Sequence, residues 1–264
     1  MWRFAYSLNL FLICCTCSLA QTGSLRFRDS LKVKATTVAM DRMNRLYLLT
    51  SNGSRLIRYK EDLILDRELG SPFFSPYMSL DVSEPGRLLL FYPEYSSVQI
   101  LDENLETMSD EYYPELNSES AFCHHGTGQY AYFSNGRIHT RDQKDKSIRS
   151  GEVIHRTLRK TDKTIQLKSD RTSLYLLIPG SGLWIFNEQL KSVHHLEDSA
   201  ILKTDVRDGL LYYLKDNAIY LWKPGGQSYL KIYQGTETIS HFALNQKYLV
   251  ICLPGRVLRF ERKN

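Results

Sequence analysis

Cysteine is scarce in this chain and poorly placed for a disulfide framework. There are five in 264 residues, and three of them, Cys14, Cys15 and Cys17, fall in the first twenty positions. The usual marks of catalysis are missing too. There is no Gly-x-Ser-x-Gly nucleophile elbow and no glycine-rich phosphate loop. Gly180-Ser181-Gly182 and Gly225-Gly226 follow strand-like runs and read as turns. No Cys/His spacing fits a structural metal. The adjacent pairs His124-His125 and His194-His195 cannot each converge on one ion, because neighbours on a strand point to opposite faces. The formal net charge of +5 is spread out rather than gathered into the stripe that nucleic-acid binding needs. Beyond the first twenty residues no apolar run approaches the ~20 residues of a membrane span. These absences remove nucleic-acid binding, a zinc-stapled fold and a membrane span beyond the first twenty residues from the reading, and leave no catalytic residue to assign.

The first twenty residues are of another kind. Arg3 supplies one positive charge, Leu8 to Ile13 form a largely apolar stretch, and Ser18-Leu19-Ala20 puts small residues at −3 and −1 of a cut before Gln21. This is the pattern of a secretory signal peptide, 1–20, with a single domain over 21–264. The expected location is secreted or periplasmic. Arg3 leaves with the leader, so the remaining chain stays mildly basic.

Hydrophobic residues make up 42% of the chain and aromatics 12%, with 17 Tyr and 11 Phe, a globular composition suited to half-buried strands. The main signal is an internal repeat. Apolar runs begin at Leu46, Leu88, Tyr130, Leu174, Leu210 and Tyr248, at intervals of about 40 residues. After each comes a turn rich in Asn, Gly or Pro and then a second short strand: Leu56–Tyr59, Val98–Leu101, Ile138–Arg141, Leu183–Phe186, Ile219–Trp222 and Val257–Phe260. Before each comes a third strand. It ends at Asp41, Asp81, Asp170 and Asp205 in four units, and at His125 and Asn245 in the other two. An Asp there can bond its own backbone and start the turn, so these carboxylates read as turn devices.

Six units of this size and strand count match propeller blades. The run from Ala35 to Phe260 resembles the broad group of six-bladed β-propellers that includes NHL-repeat and TolB-like proteins. It lacks the Trp-Asp dipeptide of WD40 blades, the Tyr-Trp-Thr-Asp of lipoprotein-receptor propellers and the Asp-box of sialidases. Short strands at even spacing also suit an irregular β-sandwich or two small barrels; the six-fold repeat favours the ring. The last unit ends without a fourth strand, while Leu25-Arg26-Phe27-Arg28 has no unit of its own. The expectation is an all-β, six-bladed propeller whose last blade is closed by the N-terminal strand, which covers an open edge. Cys123 and Cys252 then fall in blades three and six and are expected to be separate buried thiols.

Two regions could carry function. Counting back two and four places from the turn residue of each innermost strand gives a set with no carboxylate. Lactonase-type propellers hold calcium with Asp, Glu and Asn in the channel, so the set argues against that class. It does contain Lys168, Lys203 and His241, which make one side of the channel mildly basic. They are either solvated side chains at a mouth or a seat for an anion. On the loop face of blades two and three the sequence puts Phe73, Phe74, Tyr92, Tyr95, Tyr112 and Tyr113, with acidic Asp110, Glu111 and Glu115 beside them and basic Arg156, Arg159, Lys160 and Lys163 in a later loop. Aromatics with charged rims are what binding patches look like; the same rings could instead fold back beneath their loops. The expectation is an exported, non-enzymatic binding or scaffolding propeller that engages a protein, peptide or glycan partner on this face. No metal, cofactor, nucleic acid or membrane span is expected after leader removal. The alternative is a hydrolase or lactonase-like enzyme acting in the channel.

Overall fold

A computed structural model describes residues 25–50, 54–70, 78–154, 164–170, 172–223 and 229–263. The proposed leader lies outside these residues. The chain is a six-bladed β-propeller. Among the described residues, 24 strands form six four-stranded antiparallel sheets, five of them built from consecutive strands. The innermost strands of blades one to six are Ala35–Met40, Ser79–Glu84, Ala121–His124, Gln166–Ser169, Lys203–Arg207 and His241–Leu244, and they line the axis. The sixth sheet is closed as expected. Leu25–Leu31 pairs antiparallel with Arg256–Arg262, the last strand of the chain.

The buried residues form six apolar clusters, one in each wedge between adjacent blades, rather than one central core. Period-2 alternation produces this. In Arg87–Tyr92, Leu88, Leu90 and Tyr92 face blade one, while Leu89 and Phe91 face blade three. Each blade is therefore apolar on both faces, and a blade alone could not hide either of them. Every blade also carries a register shift where its outermost strand pairs inward, as between Ile100 and Leu101 or between Phe27 and Asp29. Bulges at this place twist the exposed edges away from further pairing.

The residues expected to end the innermost strands do two jobs, and two of them, Asp81 and Asp205, lie inside their strands, Ser79–Glu84 and Lys203–Arg207, rather than at the turn. Asp41, Asp81, Asp170 and Asn245 each accept, through Oδ1, the amide two residues on. Asp81 and Asp205 also accept, through Oδ2, an amide from the next blade: His124 at 2.9 Å and Leu244 at 3.1 Å. The side-chain amide of Asn245 donates to the Asp41 carbonyl at 3.0 Å across the seam where the ring closes.

That seam carries a device not foreseen from the sequence. Arg259 is buried to 1% exposure. Its guanidinium grips both carboxylate oxygens of Asp29 on the N-terminal strand, at 2.9 and 2.6 Å, and donates to the Glu61 carbonyl of blade one. It also lies 4.6 Å from the Tyr248 ring centre. Arg58 repeats the arrangement one blade on, with Asp66 at 2.6 Å and the Glu103 carbonyl of blade two. Both arginines hold the same place in their strand and reach into the next blade's outer turn.

Candidate functional site

The channel is the first place to look. Its cavity holds about 440 Å³ of non-atom space, including solvent at its mouth, and is lined by blades one, two, four, five and six. Lys168, Thr204, Arg207 and His241 are among the lining residues. Lys203 stands beside it at the same place in its strand as Lys168, two before the turn residue. In the other four blades that place holds Ala39, Ser79, Cys123 and Ala243. The two lysines therefore share one level of a ring whose remaining members are small. All three sequence-predicted channel residues come together here: Lys168, Lys203 and His241 are each partly accessible, and charge on one acts on the others.

Their environment is unusual for cations. Among the described residues neither lysine ammonium has a hydrogen bond or an ion pair. The nearby Asp81 and Asp205 carboxylates are each held by two backbone amides, although Lys168 and His124 help to keep the buried Asp81 ionised. Burial, reinforced by Lys168, brings the Lys203 ammonium down to about 8. Burial and both lysines push His241 well below the usual imidazole range. The Nδ1 of His241 and the hydroxyls of Thr204 and Ser79 are buried without a hydrogen-bond partner among the described residues. One channel mouth is braced by Arg207, which donates to the Leu244 carbonyl of blade six at 2.6 Å and the Met40 carbonyl of blade one at 3.1 Å.

An ammonium held low is a stability cost. Lys203 titrates near 8 in the fold and near 10.5 when exposed, so the unfolded chain binds more protons between those values. The penalty is fully present below about pH 8 and disappears as pH rises to 10.5. Lys203→Met is therefore expected to stabilise the protein at pH 7, on the order of 2 kcal/mol, and to show little gain at pH 10.5 and above. Urea unfolding of both proteins across this range checks it; a variant less stable than the parent at pH 7 would refute it.

The aromatic set divides. Phe73 and Phe74 lie outside the described residues, as do Arg156, Arg159, Lys160 and Lys163 of the basic loop. The expectation of one exposed cluster does not hold for Tyr92 and Tyr113, at 0% and 1% exposure. Tyr92 continues the parity of Leu88 and Leu90 and so enters the wedge toward blade one. That signal was present in the sequence, masked by the turn that follows. Tyr113 enters the wedge toward blade three, with its ring 5.3 Å from Phe122 and its hydroxyl donating to Glu111 at 2.8 Å. Desolvation and Glu111 raise the Tyr113 phenol well above its usual range.

Tyr95 and Tyr112 remain outside, at 44% and 71% exposure. Tyr95 ends the short 3₁₀ turn Pro93–Tyr95, and Tyr112 ends the outermost strand of blade two, Thr107–Tyr112. The two segments are tied together. Tyr112 pairs with Ser97, and the Tyr113 amide donates to the Ser96 carbonyl at 2.8 Å. Met108, on the same face of the strand as Tyr112, is 55% exposed. Asp110 between them accepts a hydrogen bond from Ser97 at 2.7 Å.

Other groups are structural in their surroundings. Cys123 and Cys252 are separate buried thiols. Burial pushes the Cys123 thiol well above its ordinary range. His124 lies between the Glu84 carboxylate at 3.0 Å and the Arg87 carbonyl at 3.1 Å. Among the described residues no group of three or more His, Cys, Asp or Glu side chains is arranged to hold a metal ion.

No protein-family model matches the chain, and no curated protein matches its sequence. Its likeness is to solved structures. A streptogramin B lyase superposes with a TM-score of 0.64 at 11% identity, covering 89% of this chain and 96% of that one. A selenomethionine-substituted virginiamycin B lyase from Staphylococcus aureus gives 0.66 at 10% identity, over 89% and 99%. A chain of a mitotic checkpoint complex gives 0.62 at 8% identity, over the whole of both chains. Similarity at this level, shared by enzymes and a checkpoint assembly, shows the fold alone.

Proposed function

We propose that this chain is an exported, non-enzymatic binding propeller that engages a protein, peptide or glycan partner through the loop end of blade two. The observation that carries the reading is the exposed pair Tyr95 and Tyr112, standing on segments hydrogen-bonded to each other and anchored from beneath by buried Tyr92 and Tyr113. Tyrosine offers a large amphipathic contact at low entropic cost, and a rigid base keeps that contact preorganised. Met108 extends the apolar area along the same strand. Export rests on the leader-like residues 1–20.

The test separates neighbouring tyrosines. Tyr112→Ala is expected to leave stability within about 0.5 kcal/mol of the parent, as for an exposed site. It should also abolish capture of the partner from periplasmic or extracellular material, since truncating an anchor costs on the order of 2 kcal/mol or more. Tyr113→Ala is expected to destabilise by about 3–5 kcal/mol, through the cavity it opens between blades two and three. A Tyr112→Ala, Tyr95→Ala protein that is stable and captures the partner normally would remove this face from consideration.

A further inference from the structure

The channel lysines pose a separate problem. An unpaired ammonium in a protein interior is costly, and two at one level are costlier. The architecture does not demand them, because four of the six blades fill the same place with Ala39, Ser79, Cys123 or Ala243. Nor do the channel carboxylates pair with them directly: Asp81 acts on Lys168 through space, while the oxygens of Asp81 and Asp205 accept amides of their own and the following blade. Beside them stand a buried Thr204 hydroxyl and the Nδ1 of His241, both unpartnered among the described residues. Lys168, Thr204 and His241, from blades four, five and six, thus line one cavity with Lys203 beside it, and Val38, Ala39, Leu80 and Asp81 form the facing wall.

We infer that the channel is a binding site for a small oxyanion, a carboxylate or phosphate group, seated by Lys168 and Lys203 with the Thr204 hydroxyl and the His241 imidazole as further hydrogen-bond partners. An oxyanion supplies what each of these groups lacks. It gives two mutually repelling ammonium groups a direct anionic partner, and it offers several acceptor oxygens for donors on three blades. Lysine rather than arginine suits the place, since a compact ammonium acts as a point charge in a narrow space. The acidic groups facing the site are Asp81 and Asp205. Both keep their charge while their oxygens accept backbone amides, and Asp81 acts on Lys168 through space; neither ammonium has a direct ion pair among the described residues. Arg207 also lines the cavity, with its guanidinium engaged by the Leu244 and Met40 carbonyls. This inference stands apart from the reading of the blade-two face, and neither fails with the other.

The experiment uses the full exported chain and two probes, inorganic phosphate and acetate, with sodium chloride at equal ionic strength as the reference. The unfolding midpoint and the dissociation constant by calorimetry are measured for the parent, Lys168→Met, Lys203→Met and Tyr112→Ala. The expected result is a rise in midpoint with phosphate, acetate or both, beyond that in chloride. Tyr112→Ala should keep it, and each lysine variant should bind at least tenfold more weakly. Phosphate alone active assigns a phosphate group, and acetate alone a carboxylate. Because Lys203→Met is expected to be the more stable protein, its loss of binding cannot come from unfolding. A second readout is the imidazole of His241 by NMR, whose titration should move upward when the anion binds. No rise beyond chloride in the parent overturns the inference, as does an equal rise in both lysine variants.

Discussion

Asp29→Ala is expected to cost about 3–5 kcal/mol, the usual penalty for leaving a buried charge without its partner. Arg259 is almost wholly enclosed, whereas the Asp29 side chain is about one-third exposed. The substitution that hurts most is therefore the one on the accessible side. It strands the guanidinium inside the seam, with only the Glu61 carbonyl and the Tyr248 ring for company. For a domain of this size the midpoint should fall by roughly 6–20 °C. Arg259→Met on the Asp29→Ala background should recover most of the loss, since an unbranched apolar chain fills the same space without a charge. A double-mutant cycle by urea unfolding measures the coupling. A fall below about 1 kcal/mol for Asp29→Ala would mean that the arginine finds other acceptors and that the pin is not what closes the ring.

Removing the whole closing strand should do more. A chain that starts at Lys32 loses the partner of Arg256–Arg262. It also loses the Phe27 contact with Phe260 at 5.8 Å and the apolar contributions of Leu25 and Leu31 to the wedges on either side of blade six. The expected loss is on the order of 5 kcal/mol or more, comparable with the whole stability of an ordinary domain. Loss of the cooperative transition, association through the bared edge, or both should follow. Circular dichroism and size-exclusion chromatography check this. A synthetic peptide covering Leu25 to Leu31, added in excess, should restore part of the midpoint by strand addition. A truncated chain that melts within a few degrees of the parent would show that the ring holds without its latch.

What could be read along the chain follows from distance in sequence. A strand's alternation, a turn's Asx hydrogen bond and the spacing of apolar runs involve residues a few places apart. Leu46, Leu88, Tyr130, Leu174, Leu210 and Tyr248 thus announced six blades without any coordinates. The unpaired N-terminal strand and the short last unit pointed to ring closure by the same local accounting. Parity even held the burial of Tyr92, because it continues from Leu88 and Leu90. Tyr113 was harder. Its burial depends on Phe122 and Tyr132 in the next blade, and nothing in Glu111-Tyr112-Tyr113 distinguishes the ring that enters the wedge from the one that stays out.

The sequence by itself determined the number of blades, the order of strands within each and the strand that closes the ring, because every one of these rests on periodicity and turn chemistry within about 40 residues. Only the tertiary structure decided which charges are met and which are not. Arg259 looks like any exposed strand arginine until Asp29, 230 residues away, is laid beside it. Lys168 and Lys203 look like solvated side chains until ring closure puts them at one level, where neither has a direct ion pair among the described residues. The physical reason is the same in each case. The cost or gain of a charge is set by what surrounds it after water has been removed, and in a propeller those surroundings come from the neighbouring blades.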